Sequence, residues 1–157
     1  MNARQQGFTL IELIVVIVVL GILAATIVPR FTNIQTDARI ATVSGLEAAV
    51  RSAASMYHGV KLAVGTAAGT AVDSSRFEGV STNVSDANLY PAASSTGIVA
   101  LVDTSGSDFS TADCTTTAGT CTWQLTTAPT PATCKVDYTA PTTLGNPPSI
   151  STTTGGC

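Results

Sequence analysis

Glu12 is the one charged residue between Phe8 and Val28, a stretch of 21 otherwise uncharged and largely apolar residues. On insertion scales a carboxylate at mid-bilayer costs about 2.5–3.5 kcal/mol. Thr9-Leu10-Ile11-Glu12 is a T-x-x-E capping box, in which Thr9 caps the first turn and Glu12 reaches back to it. An acid in the first turn also suits the helix dipole. Capping explains where the charge sits but not why so apolar a segment tolerates it. The remaining chemistry-bearing residues are few. Four cysteines, Cys114, Cys121, Cys134 and Cys157, are separated by six, twelve and twenty-two residues, and no pair has the C-x2-C spacing of a zinc site. His58, the single histidine, lies far from them and reads as a surface residue favoured by a helix C-terminus. Asp73, Asp86, Asp103, Asp108 and Asp113 are scattered through loop-like sequence and read as solvated turn residues rather than calcium ligands. No phosphate-binding G-x-x-x-x-G-K, zinc-protease H-E-x-x-H or nucleophile-elbow G-x-S-x-G occurs, so the chain reads as neither an enzyme nor a holder of a metal or cofactor. Charged residues make up 11 %, the net charge is −3 and the isoelectric point is about 4.8, which argues against nucleic-acid binding.

These residues are carried by two very different compositions. Large aliphatic residues crowd the chain before Val64, while Thr, Ser, Ala and Gly dominate after it. As a helix, Phe8 to Val28 spans roughly 31 Å, close to the ~30 Å core of a bilayer. Three readings compete. A cleaved secretory signal has a basic start in Arg4 but a poor exit in Ala24-Ala25-Thr26. A plain signal anchor fits the length and leaves Glu12 unexplained. A cut after Gly7, before the apolar stretch, keeps the helix on the mature protein. Beyond Pro29, Val43, Leu46, Val50, Ala53, Tyr57 and Val60 fall at alternating spacings of three and four, one apolar helical stripe. Glu47 and Arg51 form an i,i+4 pair on another face. A single helix from about Thr9 to Gly59 follows, ~75 Å long. The rest reads as a small antiparallel β head. Cys121–Leu125 and Cys134–Tyr138 alternate as strands, Pro129–Thr133 turns between them, and Ser149–Thr153 is a third strand. Gly97–Asp103 is open between a strand, which Ile98, Val99 and Val102 favour, and a short helix; Gly65–Ser75 and Thr104–Thr120 read as loops. The fold class is therefore α+β: a long N-terminal helix, apolar in its first half, with its second half packed on a small antiparallel sheet.

Gly7-Phe8-Thr9-Leu10-Ile11-Glu12, preceded by a short basic leader and continued through Gly21, Pro29 and Phe31, closely resembles the processing and methylation site of type IV prepilins, the type IVa branch in particular. The stretch "LYPAASSTGIVALVD" and the Cys-bearing end loosely resemble mannose-sensitive haemagglutinin-type pilins and the major pseudopilins. The resemblance to pseudopilins implies the short helix in Gly97–Asp103, which is preferred to the strand. The resemblance implies that a prepilin peptidase cuts after Gly7 and N-methylates Phe8. It implies a structural filament subunit divided into leader 1–7, transmembrane and filament-core helix 8–29, amphipathic helix 30–60 and disulfide-containing head 61–157. In the filament, Glu12 would meet the Phe8 ammonium of a neighbouring subunit, where either charge alone is costly. Gly21 and Pro29 would bound a segment that loosens as subunits pack. Pro29 removes a backbone donor and clashes with the preceding turn.

An even cysteine count beyond a membrane segment points to an oxidising compartment. Of three connectivities, Cys114–Cys121 closing a small loop and Cys134–Cys157 tying down the tail is preferred, the second resembling the C-terminal disulfide of pilins. The implied life cycle is a single pass of the inner membrane with a periplasmic head, then an extracellular helical homo-oligomer. It depends on a prepilin peptidase, an assembly platform protein, an ATPase and an outer-membrane secretin. The rivals are a type II secretion pseudopilin and, from a different class, a monomeric membrane-anchored periplasmic binding module.

Overall fold

The computed structural model describes residues 8–114 and 119–157, and leaves the side chains of 28–33 undescribed. The chain divides into two compact units, Met1–Ala38 and Arg39–Cys157. Helix α1, Leu10–Val64, is continuous in its backbone through both. The expected end at Gly59 is wrong by about a turn and a half. Gly59 is an exposed helical residue, and the stop comes at Gly65, whose φ of +69° is left-handed. Its N–H closes the last turn on Lys61 O at 3.1 Å, the usual glycine C-terminal arrangement. Lys61 supplies a basic residue in that last turn.

In the first unit every described side chain of Leu10–Ile27 is exposed, and this stretch is long and apolar enough to cross a membrane. In the second unit the expected stripe is the buried face of the helix: Val43, Leu46, Val50, Ala53 and Tyr57 are buried, Val60 half so. Val43, Leu46, Val50 and Ala53 pack with Trp123, Val136, Tyr138 and Ile98 in the main core, and Tyr57 forms a smaller cluster with Val72, Phe77 and Val84, against which Val60 packs. The Tyr57 and Phe77 rings stack at 5.8 Å.

The sheet is an antiparallel meander in the order β3 (Phe109–Ala112), β4 (Thr120–Leu125), β5 (Lys135–Thr139), β6 (Ser149–Thr153). Its register sets Trp123 opposite Val136 and Val136 opposite Thr152, so Cys121, Trp123 and Leu125 share the core face with Val136 and Tyr138. The expected strands are thus present, each within a residue or two, and helix α2, Ile98–Leu101, falls in the predicted short helix. The fold class expected from the sequence is the one observed. Strand β3 corrects the sequence reading, which placed it in a loop. Its Ser110 and Thr111 are exposed and its register is supplied wholly by β4, so periodicity had little to reveal. Before the sheet, a two-stranded ribbon joins β1 (Asp86–Ala87) to β2 (Tyr90–Pro91) through Asn88 and Leu89, both at positive φ, 52° and 74°. That is the backbone demanded by a tight primed turn, unusual for a leucine.

Candidate functional site

Phe8 and Glu12 stand at the start of α1. Thr9 N–H and Thr9 Oγ1 both donate to Glu12 Oε2, at 3.0 and 2.9 Å, and Glu12 N–H donates to Thr9 Oγ1 at 3.4 Å. This is a closed reciprocal capping box. Both of Thr9's bonds fall on Oε2, so the cap occupies one carboxylate oxygen. Phe8 is 91 % exposed, and with Ile11, Glu12, Val15 and Val16 it lines a shallow groove of about 370 Å³. A carboxylate at one end of an open apolar groove can receive a cation brought in by another molecule. Gly7 lies outside the described residues, as does the rest of the leader. Gly21 sits within unbroken helix, and a Cβ added there would meet nothing within 4 Å. Pro29 is helical in its backbone, its side chain being among those left undescribed.

In the C-terminal unit the cysteines form two bonds, Cys114–Cys121 and Cys134–Cys157, with Cα separations of 4.4 and 5.0 Å. Cys121, Cys134 and Cys157 are buried in the main core. The second bond fixes the tail beside β5, and Arg39 Nη1 donates to Cys157 O at 3.0 Å. The tail strand is held to α1 again where Thr152 Oγ1 donates to Glu47 Oε2 at 2.8 Å, while Arg51 holds Oε1 at 2.7 Å. Hydrogen bonds from Arg51 and then Thr152 keep the Glu47 carboxyl below its ordinary range.

His58 departs from the solvated role read for it. It is half-buried, its ring stacks on Tyr90 at 4.3 Å, and Nδ1 donates to Leu89 O at 3.0 Å, bracing the strained turn. Asp86 is buried, against its reading as a solvated turn residue, while Asp73 and Asp103 serve local structure. Asp73 and Asp103 accept from Ser75 and Ser105 N–H, both at 2.8 Å; the Ser75 side chain and then its N–H lower the Asp73 carboxyl, and the Ser105 N–H and then its side chain lower that of Asp103. Among the described residues no three His, Cys, Asp or Glu side chains converge on one point.

One feature went unread in the sequence. Lys61 and Asp86 pair at 3.4 Å with both side chains wholly enclosed, and Tyr57 Oη donates to Asp86 Oδ1 at 3.1 Å. Burial, then the Asp86 charge, pushes the Tyr57 hydroxyl well above the usual phenol range. The available signal was the spacing: Lys61 follows Tyr57 by four, on the same buried stripe.

The membrane-length apolar helix, its Thr9–Glu12 cap and the disulfide-bonded α+β unit are the features by which the chain resembles prepilins. The prokaryotic N-terminal methylation motif matches residues 2–28. The chain is similar to the type IV narrow pilus major component PilA5 of Thermus thermophilus, 56 % identical over 50 residues, covering 32 % of this chain and 43 % of that protein. It is similar to the type IV major pilin protein PilE of Neisseria gonorrhoeae, 40 % identical over 78 residues, 48 % of this chain and 47 % of that one. It also resembles the type II secretion system core protein G of Pseudomonas aeruginosa, 47 % identical over 58 residues, 36 % of this chain and 41 % of that protein. The chain spans less than half the length of these relatives. No solved structure matches. The resemblance to type IV pilins read from Gly7 to Glu12 is thereby borne out.

Proposed function

We propose that the protein is a structural subunit of a type IV pilus. The observation that carries this reading is the methylation motif leading into a fully exposed apolar helix of membrane length. Within its own unit the helix leaves these apolar side chains exposed, so a bilayer or other copies of the helix would cover them. In this reading a prepilin peptidase removes residues 1–7 at Gly7 and methylates Phe8. Residues 8–29 then hold the protein singly in the inner membrane, with 30–60 continuing the helix and 61–157 forming a periplasmic head. Assembly by a platform protein and an ATPase moves the helix from lipid into the core of an extracellular helical filament. Glu12, with Oε2 taken by its cap, offers Oε1 to the Phe8 ammonium of the adjacent subunit. Each charge neutralises one that is costly to bury alone, so the docked register is the favourable one. Gly21 and Pro29 mark where the helix yields during packing. The role is structural, without catalysis.

The likeness to core protein G supports a second reading, a type II secretion pseudopilin. Shearing cells that express the protein at native level, then sequencing and weighing the sheared fraction, tests both. Long filaments whose subunit begins at N-methyl-Phe8 are expected. Cleaved protein confined to the membrane without filaments favours the pseudopilin. Met1 on assembled protein refutes the processing step, and uncleaved monomer in the membrane fits a singly anchored binding module.

A further inference from the structure

Lys61 closes the last turn of α1 and Asp86 opens β1, and the function proposed above gives neither a role. Two charges taken out of water each carry a desolvation cost of several kcal/mol, an expense that packed apolar side chains avoid. The groups around the Asp86 carboxylate are arranged unevenly. Gly69 and Leu89 N–H both donate to Oδ2, at 2.5 and 3.3 Å. Oδ1 instead faces the Tyr57 hydroxyl at 3.1 Å and Lys61 Nζ at 3.4 Å. Lys61 Nζ also donates to Thr70 O. Two backbone donors converging on one oxygen suit a tetrahedral oxyanion. A hydroxyl on the other oxygen suits a departing water, and an amine at contact distance is the nucleophile.

We propose that Lys61 and Asp86 are a modification site, where they condense to an intramolecular isopeptide bond between Nζ and Cγ. The ammonium first passes a proton to Oδ1, leaving a neutral amine and a carboxylic acid with no change of net charge. The Nζ lone pair attacks Cγ and the carbonyl electrons move onto Oδ2, between the Gly69 and Leu89 N–H groups. The carbonyl re-forms as the Cγ–Oδ1 bond breaks. Oδ1 leaves as water, its second proton coming from nitrogen through the Tyr57 hydroxyl, which gives one proton and takes one back. An ammonium and a carboxylate become one amide and one water, with no oxidant or cofactor. Burial keeps Tyr57 protonated for that relay, and complete enclosure of both side chains keeps water from returning to the amide. The bond would tie the end of α1 to β1 across the loop between them.

The test is peptide mass spectrometry on the full chain purified in detergent. Trypsin is expected to leave the Lys61–Leu62 bond intact in the wild type. The branched peptide carrying Lys61 and Asp86 should be lighter than its two parts by one water. Lys61→Arg keeps the charge, lacks the nucleophile, and should yield linear peptides alone. Tyr57→Phe should cut the cross-linked fraction after a fixed time by a factor of about 10² or more, the usual worth of a general acid–base group. Quantitative cleavage after Lys61 with an unmodified Asp86 peptide, in wild-type protein whose Trp123 emission shows it folded, means an ion pair only and overturns the proposal. An undiminished cross-link in Tyr57→Phe overturns the relay.

Discussion

Breaking the Lys61–Asp86 pair from its two ends should cost unequal amounts. Lys61→Met keeps an apolar stem in the cavity and leaves Asp86 accepting from Tyr57, Gly69 and Leu89. Asp86→Ala takes the acceptor away from all three and strands the enclosed Lys61 ammonium beside Thr70 O. Tyr57 can fall back on Val84 O at 3.3 Å, so two backbone N–H groups are left orphaned. Removing one partner of a buried pair costs about 3–5 kcal/mol. Two orphaned buried donors at about 1–3 kcal/mol each add a further ~2–6 kcal/mol to Asp86→Ala alone. Lys61→Met then costs about 3–5 and Asp86→Ala about 5–11 kcal/mol, so a domain in the middle of the usual range of about 5–15 kcal/mol would survive the first change and lose most or all of its stability to the second. An isopeptide bond is lost in both variants and drops out of the difference. Urea titration of the full chain in detergent, followed by emission of the single buried Trp123, reads both stabilities. Lys61→Met proving as damaging as Asp86→Ala would refute the reasoning, because the backbone donors at Oδ2 would then contribute nothing.

Other perturbations have distinct signatures. Glu12→Leu should leave membrane insertion and cleavage intact while sheared filaments fall and the cleaved membrane pool rises; unchanged filament yield would reduce Glu12 to a helix cap. Serine replacement of Cys134 and Cys157, which enclose the longer loop, should cost roughly 3.5 kcal/mol, and of Cys114 and Cys121 roughly 2.5 kcal/mol, by loop-closure entropy, read as urea midpoints under non-reducing conditions. Gly97→Ala would set a Cβ 2.1 Å from Ala92 O and should lower the melting temperature, whereas Gly45→Ala meets nothing within 4 Å. That second change should stabilise by about 0.5–1 kcal/mol. Because hydrogen bonds from Arg51 and then Thr152 hold the folded Glu47 carboxyl below its ordinary range, the unfolded chain takes up protons first as pH falls. Its stabilisation is complete above the unfolded value and is lost as pH drops through the folded one, so wild type and Glu47→Gln should converge in stability at the acid end.

The architecture was legible where one element's own pattern determined it. The stripe from Val43 to Tyr57 is a face set by 3.6-residue periodicity, and strands β4 and β5 alternate because one side meets the core. The Thr9–Glu12 box was equally legible, since capping is decided within four residues. What escaped was settled between elements. Strand β3 exists because β4 offers an edge, and Lys61 lies buried because Asp86, 25 positions later, returns beside it. His58 looked like a surface residue until the Leu89 carbonyl and the Tyr90 ring came to it across a turn. Gly59 reads as a helix stop because glycine marks ends, but the chain leaves the helix where φ turns positive, and that happens at Gly65.

The two disulfides decide how the C-terminal unit behaves when it is pulled. The Cys134–Cys157 bond encloses β5 and β6 whole, so neither strand can add contour length to a stretched chain. Tension arriving from the chain before Cys134 and applied at Cys157 passes through sulfur, bypassing the hydrogen bonds between these strands. Cys114–Cys121 shortens the path in the same way. Beyond α1, the stretches without a disulfide shortcut run from Val64 to Cys114 and from Cys121 to Cys134, and a Lys61–Asp86 amide would trim the first to Asp86–Cys114. At ~3.4 Å per residue their contour length is roughly 210 Å, or ~140 Å with that amide in place. Under tension such a subunit would lengthen by a bounded step from the segment between α1 and β3 and from β4, then stiffen against covalent bonds.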